Sequence, residues 1–86
     1  ENVIYCGLEP GIFEAVFYDE NGLVADVEPK WRIDCNFADK LEVELIDNHI
    51  SIFADDSKLI NKSFELFLSG SGYEEISLIV KIVSFI

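Results

Sequence analysis

Apolar and polar residues alternate with a period of two along most of this chain, the spacing of strands with one buried face. The clearest case is Leu41–Ile46 and His49–Ala54, joined by Asp47-Asn48. Residues directly opposite in an antiparallel pair share a face. A two-residue loop sets Ile46 opposite His49, Leu45 opposite Ile50, Val43 opposite Ile52 and Leu41 opposite Ala54. The other face carries Glu42, Glu44 and Ser51, with Phe53 as the exception. A slip of one residue would set Leu and Val against Ser and His. Asp and Asn tolerate the positive φ that a tight hairpin turn needs.

Ser63–Ser69 and Glu75–Val83 predict a second hairpin across the loop Ser69-Gly70-Ser71-Gly72-Tyr73. Pairing Leu68 with Ile76 puts Leu66 opposite Leu78 and Phe64 opposite Val80, although a shift of two residues fits nearly as well. Ile12–Tyr18 predicts another strand, followed by the turn Asp19-Glu20-Asn21-Gly22. A three-residue loop with Gly22 in the left-handed region would set Phe17 opposite Ala25 and Ala15 opposite Val27. The alternative is that residues 19–29 arch over to a second sheet. Val3–Cys6 reads as a short edge strand, set off by Pro10-Gly11. Pro29 breaks any ladder just before Lys30-Trp31-Arg32-Ile33. The expected strands are roughly 2–6, 12–18, 30–35, 41–46, 49–54, 63–69 and 75–84. No window carries a convincing helical stripe, and Asp56–Ser63 is expected to form one turn at most. About seven short strands with turn signals between them predict an all-β sandwich or barrel.

Eighty-six residues make one domain, 1–86, of which half are hydrophobic. With 6 basic and 17 acidic residues the net charge is −11. Binding to nucleic acid needs Lys and Arg to displace counterions, so nucleic acid is not an expected partner. Anionic membrane surfaces are disfavoured for the same reason. No apolar stretch approaches the roughly 20 residues that span a bilayer, and insertion into a membrane is not expected. The chain carries no Met and starts without a basic leader; it reads as a domain cut from a longer protein.

Candidate chemistry is sparse. His49 is the only histidine, it follows a tight turn, and no GxSxG elbow accompanies it. The expected role is a solvated side chain at the edge of the turn. Paired acids such as Asp55-Asp56, or Asp34 and Asp39, would need a shaped cleft to act as a glycosidase. A small hydrolase is thus the least favoured reading, and no catalytic residue is assigned. Placing Gly22 at the sixth position of a calcium loop leaves Phe17 at the first, where an Asp is required. A weak cation site among loop acids, with Asp55 and Asp56 as candidates, is the remaining metal alternative; no metal or cofactor is assigned. Cys6 and Cys35 read as two buried thiols, with a single disulfide as the alternative. Ser69-Gly70-Ser71-Gly72 opens no helix and is read as a turn, not a phosphate loop. Tyr5, Tyr18 and Tyr73 would stack on sugars only if exposed in line.

The stretches Phe13–Gly22, Val27–Ile33 and Leu59–Leu66, followed by Leu68-Ser69, resemble the small immunoglobulin-like domains of bacterial surface proteins and tailed-phage virion proteins. The nearest likeness is to modules at the ends of Firmicute phage and prophage structural proteins. The resemblance implies an immunoglobulin-like β-sandwich of about seven antiparallel strands. It places Trp31 on the third strand as the plug between the sheets, and makes the two hairpins the fourth–fifth and sixth–seventh strands. Cys6 and Cys35 lie outside the positions of the antibody disulfide, and Phe64 stands where a tyrosine corner would need a hydroxyl. The implied function is a non-enzymatic structural or interaction module of a virion or bacterial surface protein. Its partners would be proteins of that assembly, with surface glycans as the alternative for an adhesion module.

Overall fold

The structure, a computed structural model, describes residues 2–85. It is all-β. Nine strands occur among the described residues: β1 (Val3–Tyr5), β2 (Gly11–Glu14), β3 (Phe17–Tyr18), β4 (Val24–Ala25), β5 (Lys30–Asp34), β6 (Leu41–Ile46), β7 (His49–Ala54), β8 (Ser63–Gly70) and β9 (Tyr73–Val83). They form a four-stranded sheet in the order β1-β9-β8-β5, a three-stranded sheet β2-β7-β6, and a two-stranded ribbon β3-β4. The molecule is elongated, 44 × 21 × 21 Å.

The first hairpin has the register that the alternation requires, from Ile46 opposite His49 to Leu41 opposite Ala54. Asp47 takes the positive φ of the turn, at 52°. The second hairpin pairs Leu68 with Ile76, Leu66 with Leu78 and Phe64 with Val80. Its strands run further than the alternation suggests, because Gly70 pairs with Tyr73 and leaves Ser71-Gly72 as the turn. Gly72 adopts φ 86° there, a conformation with little steric cost for glycine.

Two expectations about the strands change. The segment 12–18 is two strands rather than one. Ala15 ends β2 by donating its N–H to the Asn48 carbonyl at 2.8 Å. Val16 then leads into β3, which belongs to the ribbon. The ribbon does set Phe17 opposite Ala25, with Gly22 at φ 80° and the Asp19 carboxylate accepting from the N–H groups of Asn21 and Leu23. Ala15 and Val27 do not pair, since the Val27 N–H turns back to the Ala25 carbonyl. Second, the strands are not all antiparallel: β1 pairs with β9 in parallel, Val3 through Tyr5 beside Lys81 through Val83. Short and at an edge, β1 joins a strand that alternation alone could not select. The single turn expected within Asp56–Ser63 does form, as a 3-10 turn at Ser57–Leu59. Asp56 caps it through a 2.9 Å hydrogen bond from the Lys58 N–H.

The two larger sheets share one core, an arrangement compatible with a β-sandwich. Ile50, Ile52 and Ala54 of β7 meet Ile4 of β1, Phe64 and Leu66 of β8, and Val80 and Ile82 of β9. Leu59, carried by the 3-10 turn, and Phe37, before β6, close one end. Trp31 is not the enclosed plug. It is half-buried and packs against this core from the rim, because β5 is the last strand of its sheet. Aliphatic side chains of β7, β8 and β9 occupy the centre instead.

Candidate functional site

Among the described residues, the acids and the histidine gather no enclosed site. His49 lies on β7 beside Glu14 of β2, with Nε2 3.7 Å from the Glu14 carboxylate. The Asn48 side-chain amide donates to the same carboxylate at 3.2 Å and to the Ala15 carbonyl at 3.0 Å. The His49 and Glu14 side chains are 42% and 55% exposed, so water screens the pair. Asp55 is exposed. Asp56 is committed to its cap, and its second carboxylate oxygen lies 4.0 Å from Lys40. No group of three or more His, Cys, Asp or Glu side chains could hold a metal ion among the described residues. Cys6 and Cys35 are free thiols, both half-buried rather than fully buried. The Cys6 thiol donates to the Asp56 carbonyl at 3.5 Å.

The tyrosines form no platform. Tyr5 pairs with Val83 at one end of β9, where Phe85 meets its ring edge-on at 6.3 Å. Tyr18 lies at the other end, its carbonyl accepting from the Tyr73 hydroxyl at 2.8 Å. Tyr73 to Val83 spans about 33 Å of extended strand, too far for Tyr5 and Tyr18 to stack on one short sugar. Both are exposed.

What the fold does build is apolar surface at open edges. A groove of about 300 Å³ runs between Phe13 of β2 and the inward side chains Trp31, Leu68 and Ile76 of the larger sheet. Val43 and Leu45 share the inward face of their sheet with Ile52 and Ile50, yet they are 45% and 64% exposed. They stand on β6, an edge strand that the opposite sheet does not cover. The alternation identifies their face; it gives no sign that the face is left open.

No helix among the described residues is long and apolar enough to cross a membrane. No protein-family model matches the chain, and no curated protein or solved structure matches it either.

Proposed function

We propose that this chain is an immunoglobulin-like structural and interaction module of a virion or bacterial surface protein, without enzymatic activity. The strand order is the observation that carries the reading. Taking β2 as the second strand, β5 as the third, β6 and β7 as the fourth and fifth, and β8 and β9 as the sixth and seventh, the sheets run 3-6-7 and 2-5-4. Immunoglobulin constant-type domains order these strands in the same way. The departure is β1, which lies beside the seventh strand and not the second. The solvated polar groups around His49 and the open apolar edges also fit a domain that works by contact.

Phage or bacterial surface origin rests on the sequence resemblance alone, so the test addresses it directly. The coding sequence on either side of these 86 codons is expected to specify virion, cell-wall or adhesin segments. Flanks belonging to an intracellular enzyme would overturn the reading. A glycan array is expected to show no binding; a specific hit would move the function to carbohydrate recognition.

A further inference from the structure

Two edge strands of opposite charge lie on the same side of this molecule. β1, at one edge of the larger sheet, touches β2 and β7. β6, the far strand of the smaller sheet, therefore lies toward β5, and residues 35–40 link the two directly. On β6, Glu42 and Glu44 alternate with Val43 and Leu45. On β5, Lys30 and Arg32 alternate with Trp31 and Ile33. In each strand the charged residues point outward and the apolar ones inward.

The free backbone groups are on the apolar residues. The hydrogen bond from Ala15 N–H to Asn48 O makes 48, 50, 52 and 54 the residues of that strand that bond toward β2. His49, Ser51 and Phe53 then bond toward β6, to Ile46, Glu44 and Glu42. Val43 and Leu45 are left with N–H and C=O groups facing the open edge. On the other sheet, Ile82 N–H bonds to Lys62 O. By the same phase Glu65, Phe67 and Ser69 bond toward β5, to Asp34, Arg32 and Lys30. Trp31 and Ile33 present the free groups of that edge.

We propose that two copies of this chain dimerise, β6 of each pairing antiparallel with β5 of the other. One register matches both the charges and the backbone phase. It sets Val43 opposite Trp31 and Leu41 opposite Ile33, joining free backbone groups to free backbone groups. It also sets Glu44 opposite Lys30 and Glu42 opposite Arg32. Pro29, which has no N–H, falls opposite Leu45 and still offers its carbonyl. The Leu41 N–H is already bonded to Ala38 O, so that pair keeps one bond, from the Ile33 N–H to the Leu41 carbonyl. Strand directions agree. Ile4 lies against Gly11, the partner of Ile52, and Gly7 N–H bonds to Ala54 O, so β7 runs the same way as β1. β5 also runs with β1, through β8 and β9, so β6 runs opposite to β5. A twofold axis parallel to the strands preserves direction and forms both pairings at once, closing the dimer.

Pairing like edges is disfavoured. Two β6 strands about a twofold axis would oppose Glu42 and Glu44 to each other. Two β5 strands would oppose Lys30 to Arg32 when centred on Trp31, or Arg32 to Arg32 when Trp31 meets Ile33, where Lys30 would face Asp34. Arg32 is held over the Phe67 ring at 3.8 Å and on Glu75 at 3.1 Å, which fixes its cation on the face where Glu42 would arrive.

Sedimentation equilibrium of the full chain tests this. The mass is expected to rise with concentration from 9.7 kDa to twice that value. The variants E42K/E44K and K30E/R32E are each expected to stay monomeric where the wild type is dimeric. Their equimolar mixture is expected to dimerise, since it restores opposite charges at both pairings. Val43→Pro removes an edge N–H that the hairpin does not use; it is expected to keep the strand circular dichroism and lose the dimer. A wild type that stays monomeric at millimolar concentration, a dimer indifferent to these changes, or a mixture that remains monomeric overturns the proposal. Open-ended oligomers overturn the closed twofold pairing. A monomer that binds an alternating Lys-Val peptide instead assigns the edge to a different partner.

Discussion

The ring of Phe17 occupies the space that a side chain at Gly70 would need: a Cβ there would lie 2.8 Å from two ring atoms of Phe17 and 2.7 Å from a methyl of Val27. The same ring packs at 61° and 4.9 Å on Tyr73. The β3-β4 ribbon, only two residues per strand, is thus seated on the tip of the β8–β9 hairpin by one glycine.

Gly70→Ala is therefore expected to destabilise the fold by about 1–3 kcal/mol through overpacking, read as a lower urea midpoint. In a Phe17→Leu background the same change is expected to cost less, because the smaller side chain relieves part of the clash. Equal costs in both backgrounds would show that the ribbon is not seated this way.

Trp31→Ala is expected to cost about 2 kcal/mol, below the range for fully buried Trp, because the side chain is only partly buried, at the rim. Ile52→Ala, at 0% exposure in the centre, is expected to cost about 4 kcal/mol. Chemical denaturation of both variants checks the order; the reverse order would return Trp31 to the middle of the core.

Asp56→Ala removes the acceptor for the Lys58 N–H and is expected to cost about 1 kcal/mol. Asp56→Asn keeps an acceptor and is expected to cost clearly less. If Asp56 served a cation instead, added calcium would raise the wild-type melting temperature; no such shift is expected.

Tyr73→Phe removes the hydroxyl bonded to the Tyr18 carbonyl while keeping the ring against Phe17. A loss of about 1 kcal/mol is expected. Hydrogen exchange should show faster opening confined to the ribbon, and uniform acceleration across the sheets would contradict that placement.

The register of the β6–β7 hairpin was legible in the residues because it is local; that of β8–β9 was legible only to within a shift of two residues, which keeps every apolar side chain on its face. A short turn limits the possible pairings, and same-face matching of apolar side chains selects among them. The Phe17–Ala25 pairing was legible only as one of two readings, through Gly22. The site-bearing surface was much less so. Val43 and Leu45 read as core because alternation marks which residues share a face, with no information about what lies across from that face.

What the sequence by itself determined is therefore strand content, the local hairpins and the charge of each alternating segment, all consequences of period and turn chemistry. Tertiary structure decided the parallel pairing of β1 with β9, bringing Val3 beside Lys81, and the division of residues 12–18 between two sheets. It also decided that Trp31 sits at a rim and that Val43 and Leu45 lie uncovered. Those outcomes depend on which sheet edge lies where, a global packing choice among segments far apart in the chain, which the period-two pattern leaves equally satisfied in several ways.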